Sequence, residues 1–249
     1  MGINCLGGQN AVILREGGSV GEFYGYRAIG LYQLDEFTSK ENPSKPGTYL
    51  YTVKEGVPVQ GVGEQPGSIK LWDRDGNGKI DDNDREVIGN FLPKFYGAFS
   101  TTFNWKAFNL YLGFQYSYGN DIYNANYAMI GFFNGDGSNQ IAKWNDRWTV
   151  ENQSSRYYAH ISKGLVSSAF VEDASYLRFS SARFTYTLPS KLLARAKHVE
   201  GCKIYVSADN IYTFTKYSGY DPEVGISQSS ASAILSQGFD YGNFPHART

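Results

Sequence analysis

The stretch FYGAFSTTFNW-KA-FNLYLGFQYSY, residues 95–118, decides the fold. Odd positions carry Phe95, Gly97, Phe99, Thr101, Phe103 and Trp105, and even positions carry Tyr96, Ala98, Ser100, Thr102 and Asn104. Successive side chains of a strand point to opposite faces, so this period of two builds one apolar face and one small or polar face. After Lys106-Ala107 the pattern resumes, with Phe108, Leu110, Leu112, Phe114, Tyr116 and Tyr118 set against Asn109, Tyr111, Gly113, Gln115 and Ser117. The spacing predicts a tight hairpin of two strands of about ten residues, longer than the usual five or six. Ten tilted residues match the span of a bilayer. Phe95, Trp105, Phe108, Tyr116 and Tyr118 fall at the strand ends, where an aromatic girdle would lie. A soluble sandwich alternates in the same way, so the hairpin alone leaves both readings open.

Working outward, the 249 residues hold 20 Tyr, 16 Phe and 28 Gly with 19% charged residues, a composition that argues against disorder. A net charge of −1 gives no electrostatic basis for a nucleic-acid partner. No run of about 18 apolar residues is present, which excludes a spanning helix. Residues 119–174 are polar and rich in Gly and Asn with aromatic islands, so they read as a long functional loop with local structure. One short turn against one long loop is the asymmetry of outer-membrane barrels. A third strand covers Tyr176 to Leu188, where apolar parity switches between Phe179 and Phe184, a pattern that a β-bulge explains. Residues 190–197 read as a short helical turn, and a fourth strand runs from about Lys203 to Phe214. Upstream, Ala11–Arg15 and Glu22–Leu34 read as strands and Phe37–Val62 as an excursion; residues 215–249 read as mostly loop.

The sharpest local motif is DRDGNGKIDDND, residues 73–84. Asp73, Asp75, Asn77, the Lys79 carbonyl, Asp81 and Asp84 occupy positions 1, 3, 5, 7, 9 and 12 of an EF-hand-like calcium loop, with Gly78 at the position of the sharp bend. Five acids in twelve residues repel one another without a cation. Position 12 is Asp rather than Glu, a shorter reach, and Ser68–Trp72 reads as extended rather than helical. The expectation is a structural calcium site that stiffens a loop; an acidic solvated turn is the alternative. Cys5 and Cys202 make no disulfide framework and read as two unrelated thiols, with one long-range disulfide as the alternative, and His160, His198 and His246 fall in no zinc-ligand spacing.

Several blocks together resemble one family. GEFYGYRAIGLYQ (21–33), PGSIKLWDRDGNGKIDDNDREVIGNFLPKFYGAFS running on to NLYLGFQYSYGNDIYN (66–124), EDASYLRFSSARFTYTLP (172–189), IYVSADNIYTFTKYSGYDPEV (204–224) and GFDYGNFPHART (238–249) are similar to the SusC/RagA-type TonB-dependent outer-membrane transporters. The resemblance implies an all-β chain: an antiparallel transmembrane β-barrel segment with long extracellular loops in the cell outer membrane. It further implies a SusD-like surface lipoprotein as partner, TonB as energy source through a plug that nothing in residues 1–249 matches, and oligosaccharides or peptides as substrate. At about ten to twelve residues per strand plus loops, the chain supplies roughly seven to nine strands, a C-terminal part of a roughly 22-stranded wall.

Transport therefore leads, with no covalent chemistry. The alternative is a soluble or surface β-domain, stabilised by calcium, that binds carbohydrate through exposed Trp144, Trp148, Tyr157 and Tyr158. Catalysis has no support: the acids concentrate in the calcium-like loop, and no nucleophile or phosphate-loop motif is present. Arg178 and Arg183 belong on a lumen or loop side, since arginine facing lipid is costly, and pairing with acids accounts for them.

Overall fold

The computed structural model describes residues 4–5, 9–61, 64–130, 142–155, 157–159, 165–194, 199–224 and 237–242. The helical turn expected over 190–197 is observed as Ser190–Leu193. Its last residues, the segment 243–249 and most of 226–237 lie outside the described residues. The chain divides into two compact units. One comprises Met1–Phe91, Ile122–Val171 and Gly225–Tyr241; the other comprises Leu92–Asp121, Glu172–Val224 and Gly242–Thr249.

The second unit is built on a four-stranded antiparallel sheet in the order Phe95–Trp105, Phe108–Tyr118, Tyr176–Thr187, Lys203–Thr215. The hairpin lies where the alternation puts it, with Trp105 opposite Phe108 and Phe95 opposite Tyr118. Lys106 closes the turn at φ 53°, a left-handed conformation that matches the twist of the flanking strands. The parity switch is a bulge: Gly113 pairs with Ser181 but Phe114 with Phe179, so Ser180 is the extra residue. The next pair shifts at the same level, with Phe179 opposite Tyr212 and Ser181 opposite Asp209. Asn210 there takes φ 51°, a conformation asparagine tolerates better than most residues.

These irregularities keep the two faces sorted. Following the pairings across the sheet, one face carries Phe99, Phe103, Leu110, Leu112, Phe114, Phe179, Phe184, Val206 and Phe214 among its residues, and no charge. All four charged residues of these strands, Arg178, Arg183, Lys203 and Asp209, fall on the other face. Rings stack across the apolar face. Phe114 lies 4.8 Å from both Phe99 and Phe179 near the middle, Trp105 and Tyr186 flank Phe108 at one end, and Phe95 stacks on Tyr118 at the other. The face stays open, with Phe103 58% and Val206 71% exposed. Eleven residues at about 3.3 Å per step, tilted by about 40°, rise roughly 25 Å, the height of the apolar band of an outer-membrane barrel.

The other unit consists of short paired strands. Val12–Ile13, Glu22–Gly25 and Glu86–Asn90 form one sheet, Ala28–Leu31 pairs with Ile69–Leu71, and Phe37–Glu41 with Tyr49–Val53. The strand expected over Glu22–Leu34 is thus broken in two. Gly25 sits so close to Val166 that an added Cβ would fall 2.3 Å from the Val166 carbonyl oxygen, and Tyr26 N–H donates to that oxygen. The chain has to bend there to satisfy it. Of the roughly seven to nine wall-length strands expected, four reach that length among the described residues, and the others span two to five residues. The long segment after Tyr118 does have local structure: a helix at Ala125–Ile130 and 3-10 turns at Ala142–Asp146 and Ser168–Phe170. They pack Trp144, Tyr158, Val166 and Phe170 into one core with Ala11, Val12, Phe23, Tyr123 and Phe239. No helix among the described residues is long and apolar enough to cross a membrane.

Candidate functional site

The acidic loop is held between strands, as its flanks require. Strand Ile69–Leu71 leads into Asp73, and the 3-10 turn Asp82–Asp84 brings Asp84 back to it before strand Glu86–Asn90. Gly76 and Gly78, at φ 72° and 80°, supply the bend. Carboxylate oxygens of Asp73, Asp75 and Asp84 lie within 4.8 Å of one another. Oxygens each 2.3–2.6 Å from one calcium ion can be at most about 5 Å apart, so this spacing and the all-oxygen donor set fit a hard cation. The remaining lone pairs are oriented by backbone. Asp73 accepts N–H bonds from Gly76 (2.8 Å), Asn77 (3.2 Å) and Gly78 (2.8 Å), and Asp75 Oδ1 accepts from Asn77 (3.0 Å).

Asp84 is wholly buried and accepts from the N–H groups of Arg74 (2.7 Å) and Asp81 (2.8 Å). That clasp draws the short aspartate inward at the position where a longer glutamate would reach. Of the other expected ligands, Asp81 caps the 3-10 turn through Asn83 N–H at 2.8 Å. Asn77 Nδ2 bonds Asp75 at 3.0 Å, and Lys79 N–H bonds Asn77 Oδ1 at 2.7 Å. The carboxylates of Asp73, Asp75 and Asp84 thus come together, and Asn77, Lys79 and Asp81 make hydrogen bonds within the same loop. Next in the chain, the Arg85 guanidinium lies 4.5 Å over Tyr24 and donates to the Tyr24 carbonyl at 3.1 Å, tying the loop to Glu22–Gly25.

On the sheet, the polar face is the concave one. A hollow of about 980 Å³ there is lined by residues including Asn104, Asn109, Tyr111, Arg183, Lys203, Tyr205 and Asp209. Arg183 lies 5.3 Å over Tyr205. Arg178 is 4% exposed in its side chain and is paired with acids, with Nη2 2.5 Å from Asp221 and Nη1 2.8 Å from Glu223. Its Nε also donates to Thr213 at 3.2 Å, and the guanidinium lies 5.3 Å over Tyr176. The sequence hid these partners, because DPE at 221–223 follows the fourth strand by several residues of irregular chain. Cys202 is a free thiol; the side chain of Cys5 lies outside the described residues.

The aromatic residues read as exposed sugar platforms need correction. Trp144, Trp148 and Tyr158 are 3–4% exposed. Trp144 meets Tyr127 and Tyr158 edge-on at 5.0 and 4.8 Å, and Trp148 Nε1 donates to Gln33 at 3.2 Å. Their faces are used up in the core, and only Tyr157 remains half-buried. Low charge and high aromatic content in a loop signal packing as readily as ligand contact.

No protein-family model matches the sequence. TonB-dependent receptor P3 of Formosa agariphila is 32% identical over 239 residues, 95% of this chain and 22% of the relative. TonB-dependent receptor P39 of the same organism is 28% identical over 94% of this chain and 24% of the relative. TonB-dependent receptor SusC of Bacteroides thetaiotaomicron is 22% identical over 71% of this chain and 16% of the relative. Among solved structures, the RagAB peptide importer in its open-open state superposes with a TM-score of 0.60 at 22% identity, over 91% of this chain and 21% of that one. The closed-closed state gives 0.60 at 21% identity, over 93% and 22%. The chain thus spans about a fifth of the length of the curated relatives it matches.

Proposed function

Because the chain belongs to the SusC/RagA-type TonB-dependent receptors, we propose that it forms part of an outer-membrane importer of oligosaccharides or peptides. In this reading a SusD-like lipoprotein lids the assembly and TonB energises it. The observation that carries the reading is the four-stranded sheet. Its apolar face bears no charge and stays uncovered, while its concave face carries every charge of the four strands. A charge-free face about 25 Å tall suits lipid, and a polar concavity suits a water-filled lumen. No covalent step is assigned to this chain; its residues orient, pair and bound a path. The acidic loop serves as a structural calcium site through Asp73, Asp75 and Asp84, and calcium supplies only charge neutralisation and loop order there.

Uptake by intact cells tests the proposal. Deleting the gene, or collapsing the inner-membrane proton gradient with a protonophore, is expected to abolish accumulation of a labelled oligosaccharide or peptide while passive porin uptake continues. A lipoprotein of SusD type is expected to copurify from outer membranes in mild detergent. Unchanged accumulation in the deletion strain for every solute tried would overturn the reading.

A further inference from the structure

Two arginines stand on the concave face of the sheet, and their surroundings differ. Arg178 commits its donors to Asp221, Glu223 and Thr213. Arg183 is exposed, and among the described residues it makes no ion pair and no hydrogen bond. All of the chain's 24 acidic residues except Asp136 are described. The parts of this unit outside the described residues, 195–198 and 243–249, contain no Asp or Glu. No acid of its own unit therefore pairs with Arg183.

The register explains how Arg183 is held. It stands opposite Tyr111 on one neighbouring strand and Ser207 on the other. Tyr205 and Asp209 pair with Thr185 and Ser181, which puts both diagonal to Arg183 at about 7–8 Å. The guanidinium lies 5.3 Å over the Tyr205 ring and makes no ion pair with Asp209. Tyr205 is on the side of Lys203, the next residue along that strand on the same face. A cation–π contact orients a guanidinium without consuming its N–H donors. The hollow around these groups, about 980 Å³, reaches the upper end of the roughly 300–1,000 Å³ usual for small-ligand sites.

We propose that this hollow is a carboxylate-binding site, with the Arg183 fork receiving both carboxylate oxygens and Lys203 adding a second positive charge. A planar guanidinium matches a carboxylate through two parallel N–H bonds. Asp209 in the same lining repels a doubly charged phosphate more than a singly charged carboxylate. Lys203 pairs with Thr187, whose N–H donates to the Ala107 carbonyl of the short turn. Short turns face the periplasm in outer-membrane barrels, so the importer reading puts the site in the periplasmic half of the lumen. The carboxylate there comes either from an acidic solute in transit or from an Asp or Glu of the receptor's own polypeptide outside residues 1–249. The inference rests on the importer reading and gives its lumen wall a specific chemistry.

The test is the rate at which phenylglyoxal modifies Arg183 in the receptor purified in detergent, read by mass spectrometry. Hexagalacturonic acid and a glutamate-rich hexapeptide are the carboxylate probes; cellohexaose and the same peptide with glutamine for glutamate and an amidated C-terminus are their comparators. If the ligand is a solute, Arg183 is expected to react in the bare receptor. At least one carboxylate probe is then expected to slow that reaction about tenfold while the comparators leave it unchanged. Arg183→Gln is expected to weaken binding of that probe by about tenfold or more. Asp209→Asn is expected to strengthen it, which a merely structural role for the face does not do. If the ligand is the receptor's own acid, Arg183 is expected to be protected before any addition, and carbodiimide is expected to couple Lys203 to an acid outside residues 1–249. Modification at one rate with and without every probe, equal protection by the comparators, or protection of the bare receptor with no acid coupled to Lys203 would overturn the proposal. Protonophore-sensitive uptake that persists when Arg183 stays reactive throughout would remove the site and leave the importer reading intact.

Discussion

Arginine placed at Leu112 probes the apolar face at its most demanding point. Leu112 sits beside the midpoint of Phe108–Tyr118 and pairs with Thr101 on one side and Ala182 on the other. Tyr118 ends the same strand on the same face, opposite Phe95. Five residues from the midpoint at about 3.3 Å each, tilted by about 40°, put Tyr118 roughly 13 Å from the midplane, at the interface. A lipid-facing arginine costs about 2–4 kcal/mol at the midplane and about 0–1 kcal/mol near the interface. Leu112→Arg is therefore expected to lower the folded-to-unfolded ratio roughly 30- to 1,000-fold and Tyr118→Arg less than about fivefold. Gln115→Arg, on the concave polar face, is expected to cost little. The assay is urea titration of the receptor folding into phospholipid vesicles, read by the heat-sensitive shift in electrophoretic mobility. Equal penalties at Leu112 and Tyr118 would refute the reasoning, because a protein-covered face penalises charge without regard to depth in a bilayer.

Other consequences follow from particular groups. Arg178→Ala removes the cation that Asp221 and Glu223 share, so it is expected to cost about 3 kcal/mol, discounted for the half-exposed Glu223, and to expose residues 216–224 to protease; unchanged proteolysis would contradict the clamp. Calcium at millimolar concentration is expected to protect the 73–84 loop from proteolysis, and Asp73→Ala with Asp75→Ala to abolish that protection; protection equal in EDTA would remove the ion from the account. Burial pushes the Tyr32 phenol up to about 12, so its contribution is full below pH 10 and is lost as pH rises toward 12. Tyr32→Phe, which also removes the hydrogen bond to the Pro58 carbonyl, is expected to flatten that alkaline transition in a pH-dependent melt. Hydrogen bonding from Ser175 holds the Asp173 carboxyl below the usual carboxylate range. Its turn is expected to loosen only as pH falls through that lowered value, an effect that Ser175→Ala should shift upward in an NMR titration.

The parts of this structure that were legible in the sequence are those governed by neighbours along the chain. Alternation from Phe95 to Tyr118 set both strands and their register, because a slip of one residue would turn every phenylalanine to the wrong face. The parity switch between Phe179 and Phe184 announced the Ser180 bulge for the same reason. The acid spacing of residues 73–84 carried the loop, since its bonds join residues two to ten apart. What stayed hidden depends on distant contacts. Gly25 is small because Val166 crosses it, and Trp148 is buried because Gln33 and Gly67 meet it from more than eighty residues upstream. Neither Asp221 nor Glu223 carries any local sign that it belongs to Arg178.

The central claim is that one face of the four-stranded sheet meets lipid and the other meets water. Nitroxide labels placed singly at each position from Asn109 to Ser117, in the receptor reconstituted into bilayers, test it most directly. Labels at 110, 112, 114 and 116 are expected to collide with oxygen and to be shielded from a water-soluble nickel chelate; those at 109, 111, 113, 115 and 117 are expected to show the reverse. Shielding of the even positions from both reagents would mean that protein covers the apolar face and would contradict the account.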